Sequence, residues 1–256
     1  MKKSFKNKYL VVANWKDSIE SFGDAKKDFD LVKKIKFNIK KAELVICPPV
    51  VFLSELARNY RGKNIVFGSQ NISITNKKPC TGEVSVAELK NLDVEYVIIG
   101  HSERRSLGES NEIISKKIAV SIDNKLTPIL CVGEIVRDKY GEYLKDVERQ
   151  LIEGLSEINK KDLNKVIVAY EPVFAIGKGH KSLTTYEIHQ MVIFIKKILV
   201  SRFNKKVAME VPIIYGGSVD EENSSDILSE SEVQGILIGR AGTNPYSLKE
   251  IIRQIK

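Results

Sequence analysis

The sequence predicts an α/β fold, a single-domain (β/α)8 barrel spanning residues 1–256, and three observations carry that prediction. Eight short β-rich runs recur along the chain, most of them are continuously apolar, and stretches of helical periodicity lie between them. Alternating β and α elements imply a mostly parallel sheet. Parallel strands are buried on both faces, so they lose the in–out alternation of a sheet that is wet on one side. A length of 256 residues is near that of one such barrel. An open doubly wound sheet is the structural alternative, weakened because no early Gly-x-Gly-x-x-Gly follows a strand.

The first run, YLVVAN from residue 9, ends in Asn14, Trp15 and Lys16. Residues 1–7 before it read as a lysine-rich N-terminal tail. They imitate a signal peptide, but the apolar stretch from Tyr9 to Ala13 is too short and no small-residue cleavage site follows. ELVICP from 43 and NIVFGS from 64 supply the second and third strands. The fourth, EYVIIG from 95, delivers His101 just past Gly100, and LTPILCVG from 126 is the fifth. The sixth, KVIVAYE from 165, stops on Glu171, where Pro172 restrains the backbone to extended conformations and makes a helix-capping role awkward. VPIIYGG from 211 turns through Gly216, Gly217 and Ser218, and QGILIG from 234 runs into Gly239 and Arg240. Between the sixth and seventh runs, Thr184 with Glu187 reads as a capping box. Ile188, Met191, Val192, Ile195, Ile198 and Leu199 then trace one helical stripe, and Val147, Leu151, Ile152 and Leu155 mark another helix.

Composition narrows the function classes. The net charge is +8, from 41 basic and 33 acidic residues. The lysines are scattered, with no basic block interleaved with aromatics, which favours a solvated surface over a nucleic-acid partner. No run of about 18 apolar residues indicates a membrane span. Cys47, Cys80 and Cys131 are odd in number, widely spaced and without neighbouring histidines. They read as small apolar fillers in a reducing, cytoplasmic compartment, with no disulfide framework and no zinc site.

Functional residues of such a barrel gather at the carboxyl ends of the strands. Lys16, His101 and Glu171 occupy three of those ends, on one face of the barrel. Gly216 and Gly217, beside Ser218 on the seventh strand, suggest a phosphate site. His180 and His189 read as structural or exposed.

Six strings now carry a resemblance: NWK (14–16), GHSERR (100–105), CVGE (131–134), AYEPVFAIG (169–177), YGGSV (215–219) and GILIGRA (235–241). In this order, over essentially the whole chain, they resemble the triosephosphate isomerase family. The resemblance implies a TIM barrel that interconverts glyceraldehyde 3-phosphate and dihydroxyacetone phosphate, in glycolysis and gluconeogenesis, without cofactor or metal. It implies Glu171 as catalytic base, His101 as electrophile, Lys16 as electrostatic partner and Asn14 as a substrate contact, with Glu103 as the acidic residue beside the lysine. Gly177, Ser218, Gly239 and Arg240 fall where the family holds the phosphate.

The residue types suit the chemistry. The carbonyl already acidifies the neighbouring C–H, so one carboxylate with reach to two adjacent carbons suffices to move the proton. Donors and a cation stabilise the enediolate oxygen that results. The family is itself the standard worked case for a base glutamate, a neutral histidine and a closing loop. Closure over 173–179, with Ala175, Gly177 and Gly179 as its small residues, excludes water and suppresses loss of phosphate from the enediolate.

Departures from the family pattern are specific. Asp17 and Ser18 replace a methionine and an asparagine, Phe174 a tryptophan, Leu107 and Cys80 phenylalanines, and Arg240-Ala241-Gly242 a Gly-Ala-Ser turn. NKKPCTGE (76–83) resembles the loop that reaches a neighbouring subunit, which implies a homodimer, with Asp17 facing the same interface. Two alternatives stand beside this reading. An isomerase of a four-carbon sugar phosphate is disfavoured by the complete NWK and YGGS strings. A catalytically idle barrel acting as a binding protein is disfavoured because Lys16, His101 and Glu171 are all present.

Overall fold

The structure is a computed structural model that describes residues 8–75, 78–177 and 182–255. The predicted tail at 1–7, two residues of the 76–83 loop, and Gly179 and His180 lie outside the described residues. Eight strands, β1 (Tyr9–Asn14), β2 (Ala42–Cys47), β3 (Ile65–Ser69), β4 (Tyr96–Ile99), β5 (Thr127–Val132), β6 (Ile167–Tyr170), β7 (Ile213–Tyr215) and β8 (Gly235–Ile238), close a barrel in sequence order. Each predicted run is one of these strands. All pairings are parallel, and the seam closes with β1 against β8, from Leu10 opposite Gly235 to Ala13 opposite Ile238.

Burial explains why the runs are continuously apolar. Alternate strand residues, among them Leu10, Val12, Val45, Ile129 and Ile214, fill the barrel interior. Those between them, such as Val11, Ala13, Leu44, Ile46 and Val168, pack outward into the helices. Both faces are dry, so both sets must be hydrophobic.

The helices are α1 (Phe22–Val32), α2 (Val50–Arg58), α3 (Val86–Asn91), α4 (Ser102–Ser106), α5 (Asn111–Asp123), α6 (Glu142–Gly154), α7 (Thr185–Arg202), α8 (Lys205–Met209), α9 (Ser224–Glu230), α10 (Arg240–Thr243) and α11 (Pro245–Arg253). The predicted capping box is formed at α7. The Glu187 N–H donates to Thr184 Oγ1 at 3.3 Å, and the Thr184 N–H donates to Glu187 Oε2 at 2.9 Å. All six residues of the α7 stripe are buried. In α6, Val147 and Leu151 are buried, Ile152 is half-buried, and Leu155 caps the helix one residue beyond its end.

The cysteine reading holds in part. Cys47 and Cys131 are buried, and burial pushes both thiols up from their ordinary range. Cys80 is exposed, so it is no core filler. Among the described residues, no helix is long and apolar enough to cross a membrane.

Candidate active site

A cavity of about 640 Å³ opens at the carboxyl ends of the strands. Every site residue expected from the sequence lines it except Glu103: Asn14, Lys16, His101 and Glu171, and with them Gly177, Gly216, Gly217, Ser218, Gly239 and Arg240. Glu103 stands behind Lys16, whose Nζ lies 2.6 Å from Glu103 Oε1.

The β1 end is built around a left-handed lysine. Lys16 has φ 49°, a conformation that costs an L-residue and persists only where its surroundings impose it. Three contacts do so here. The Lys16 N–H donates to Asn14 Oδ1 at 3.0 Å, and Gln70 Nε2 donates to the Lys16 carbonyl at 2.8 Å and to the Cys47 carbonyl at 2.9 Å. Between Asn14 and Lys16, fully buried Trp15 donates its indole N–H to the Gly242 carbonyl at 3.1 Å. That bond ties β1 to the turn following β8.

His101 is buried and is the N-cap of α4, its Nδ1 accepting the Glu103 N–H at 3.3 Å. The other ring nitrogen, Nε2, is turned toward Glu171, whose Oε1 is 3.7 Å away. The same Nδ1 lies 3.5 Å from Oε2 of Glu103, the carboxylate whose Oε1 pairs with Lys16.

Glu171 is 2% exposed, and its Oε2 has no hydrogen-bond partner among the described residues. Its backbone is anchored: the Glu171 N–H donates to the Val132 carbonyl at 2.8 Å, continuing the β5–β6 ladder by one residue. Its side chain passes over Gly216, where a Cβ would lie 2.6 Å from Glu171 Cγ and 2.9 Å from Oε1. The glycine is there because the glutamate needs that space.

Beyond β7, Ser218 gives both its donors to the segment after the glutamate. Its N–H and Oγ–H donate to the Ala175 carbonyl at 3.2 and 2.7 Å. Ser182, beyond the 178–181 segment, donates its hydroxyl to Tyr215 Oη at 3.2 Å, as does the Leu183 N–H at the same distance. Arg240 is exposed at the start of α10 and faces the cavity.

Sequence reasoning missed Gln70, Tyr215 and the group around Arg137. The signal for Gln70 was present, since it directly follows the third run as a polar strand-end residue. Tyr215 stands in the YGGSV string, which is read for its glycines and serine; the hydroxyl's contacts with Ser182 and Leu183 join segments that the string does not contain.

Comparison with known proteins adds to this geometry. Residues 9–255 match the family model described as triosephosphate isomerase. The chain is 36% identical over 245 residues to the triosephosphate isomerase of Thermoanaerobacter pseudethanolicus, covering 95% of this chain and 98% of that one. It is 38% identical over 239 residues to that of Treponema denticola, covering 92% and 94%. With that of Caldanaerobacter subterraneus subsp. tengcongensis it shares 38% over 245 residues, covering 95% and 98%.

Proposed function

The chain belongs to the triosephosphate isomerase family and interconverts glyceraldehyde 3-phosphate and dihydroxyacetone phosphate; from that premise we propose that Glu171 is the base that moves the proton. The observation that carries this assignment is the buried carboxylate with an oxygen that has no hydrogen-bond partner among the described residues, its other oxygen 3.7 Å from His101 Nε2. Glu171 takes a proton from the carbon next to the carbonyl. The electron pair left behind forms the enediolate, and the same carboxylate returns the proton to the neighbouring carbon. His101 Nε2–H and the Lys16 ammonium meet the negative charge that develops on the oxygen. Asn14 supports that cation by holding the turn on which Lys16 stands, and Glu103 holds its head group.

The phosphate lies at the turns after β7 and β8, against the backbone N–H groups of Gly217, Ser218 and Gly239, with Gly177 and Arg240 at the rim. The Gly216 N–H donates to the Tyr170 carbonyl at 2.8 Å, so Gly216 contributes open space there and no donor. Ser218 reaches it only after releasing the Ala175 carbonyl, so phosphate binding is coupled to movement of 173–177. The protein acts as a cytoplasmic homodimer through the 76–83 loop. Exposed Val51 and Ile74, in the elements that follow β2 and β3, support such an interface.

A coupled assay with glyceraldehyde 3-phosphate tests the base. The wild type turns over and Glu171→Ala loses turnover by orders of magnitude while keeping its fold. Full activity in Glu171→Ala overturns the assignment.

A further inference from the structure

Arg137, in the loop between β5 and α6, is not among the residues lining the cavity, yet its guanidinium touches one residue before the base and one after it. Its Nη2 donates at 2.9 Å to the hydroxyl of Tyr170, the residue before Glu171. Its Cζ stands 5.5 Å from the ring centroid of Phe174, three residues after Glu171. The remaining nitrogens fix the guanidinium itself: Nε donates to Glu134 Oε1 at 3.1 Å and Nη1 to Glu187 Oε1 at 3.1 Å, while the Tyr143 ring lies 5.0 Å away. Glu187 is also the N3 residue of the α7 capping box. One side chain thus joins the β5 loop, β6, the segment after the base, and the start of α7.

Phe174 has no polar handle, so only packing and the charge above its ring set its position. Glu134 makes the arginine hard to replace. Its side chain is fully buried, Oε1 accepts both the guanidinium and the Tyr170 hydroxyl at 2.9 Å, and Oε2 has no hydrogen-bond partner among the described residues. A buried carboxylate satisfied on one oxygen depends on its counter-charge. The Glu134 carbonyl also accepts the Val173 N–H at 2.9 Å, so any shift of this loop passes directly into the segment after Glu171.

We propose that Arg137 is a positioning residue for the isomerisation, clamping Tyr170 and Phe174 so that the Glu171 carboxylate and residues 173–177 keep their places over the reacting atoms. The proposal rests on Glu171 being the base. It predicts a defect in fidelity as well as in rate. When the segment sits loosely over an enediolate, the C–O bond to phosphate breaks. The bonding pair leaves on inorganic phosphate, and the three-carbon remainder, which has already lost its proton to Glu171, becomes an enol that ketonises to a 2-oxoaldehyde. No oxidant or reductant is consumed.

The test uses the full chain and five variants, Arg137→Gln, Arg137→Ala, Phe174→Leu, Arg137→Gln/Phe174→Leu and Glu171→Ala. The readouts are kcat, KM, melting temperature and inorganic phosphate released per isomerisation turnover. Arg137→Gln keeps the aliphatic stem and one amide donor group but loses the charge over the ring, so it remains readable even where Arg137→Ala folds poorly. Expected is a kcat loss on the order of tenfold with KM changed far less, and a several-fold rise in phosphate per turnover. Phe174→Leu gives a smaller rise, and the double variant is no worse than Arg137→Gln, because the charge over the Phe174 ring is already lost in that single variant. Wild-type phosphate per turnover in Arg137→Gln, whatever its melting temperature, overturns the proposal, and so do single-variant effects that multiply. An active Glu171→Ala strikes the base assignment instead, so the two failures are distinguishable.

Discussion

The two halves of the cavity are made of different material. Toward β1, β4 and β6 it is built from side chains, Lys16, His101 and Glu171, each restrained by a named hydrogen bond or ion pair. Toward β7 and β8 the turns begin as chain with the side chains left out, Gly216, Gly217 and Gly239, with Ser218 and Arg240 next to them. The difference follows the charges they face. Negative charge on the substrate oxygen appears only as the reaction proceeds, and preorganised groups aimed at that point stabilise it selectively. The phosphate is charged throughout, and backbone N–H groups are able to hold such an anion without a buried counter-ion. One half therefore fails when an atom is removed, the other when an atom is added.

The largest expected effect is a deletion on the side-chain half. Glu171→Asp removes one methylene and withdraws the carboxylate by about 1 Å, a displacement that can lower kcat on the order of 100-fold. Circular dichroism and melting temperature stay near wild type, because the residue lies at the cavity and its backbone N–H still donates to Val132. Unchanged kcat would refute the claim that this half works by precise side-chain reach.

This division also accounts for what the sequence made legible. The barrel was readable because double burial leaves eight uninterrupted apolar runs, and each polar residue at a run's end then marks a place on the functional face. Lys16, His101 and Glu171 were found that way. Gln70 carries the same mark and was passed over, since its role lies in its hydrogen bonds to two carbonyls brought together by β1 and β2. Arg137 is three residues past Glu134 and far in sequence from Phe174 and Glu187, so only the closed barrel brings the three together. Gly216 was readable as a turn residue; that it clears space for Glu171 depends on a cross-strand distance which no spacing rule contains.

An addition at the boundary of the two halves sharpens the comparison. In Gly216→Ala the new Cβ meets Glu171 Cγ at 2.6 Å and Oε1 at 2.9 Å, closer than real contacts allow. The glutamate is the neighbour able to give, so it turns away from the reacting carbons. We expect kcat to fall by on the order of tenfold, since a misplaced base is not a missing one. KM should rise as well, because the same turn faces the phosphate. Steady-state kinetics with both triose phosphates separate the two contributions. An unaffected kcat would mean that the glutamate's place is set by β6 alone.

The smallest effect is expected from a deletion on the backbone half, and it is the sternest check on the contrast. Ser218→Ala removes a hydroxyl that donates to the Ala175 carbonyl at 2.7 Å, but the Ser218 N–H, at 3.2 Å from the same oxygen, remains. One neutral hydrogen bond contributes about 0.5–1.5 kcal/mol net, roughly a factor of two to ten. The sign of the change in KM reports which bond matters more. If the hydroxyl chiefly holds 173–177 against the β7 turn before substrate arrives, its loss eases that movement and KM falls. If it chiefly serves the phosphate, KM rises by the same modest factor. Either result leaves kcat within a few-fold of wild type, as measured in the coupled assay. A loss in Ser218→Ala as large as that in Glu171→Asp breaks the comparison, because the phosphate half then depends on a side chain as strictly as the base half does.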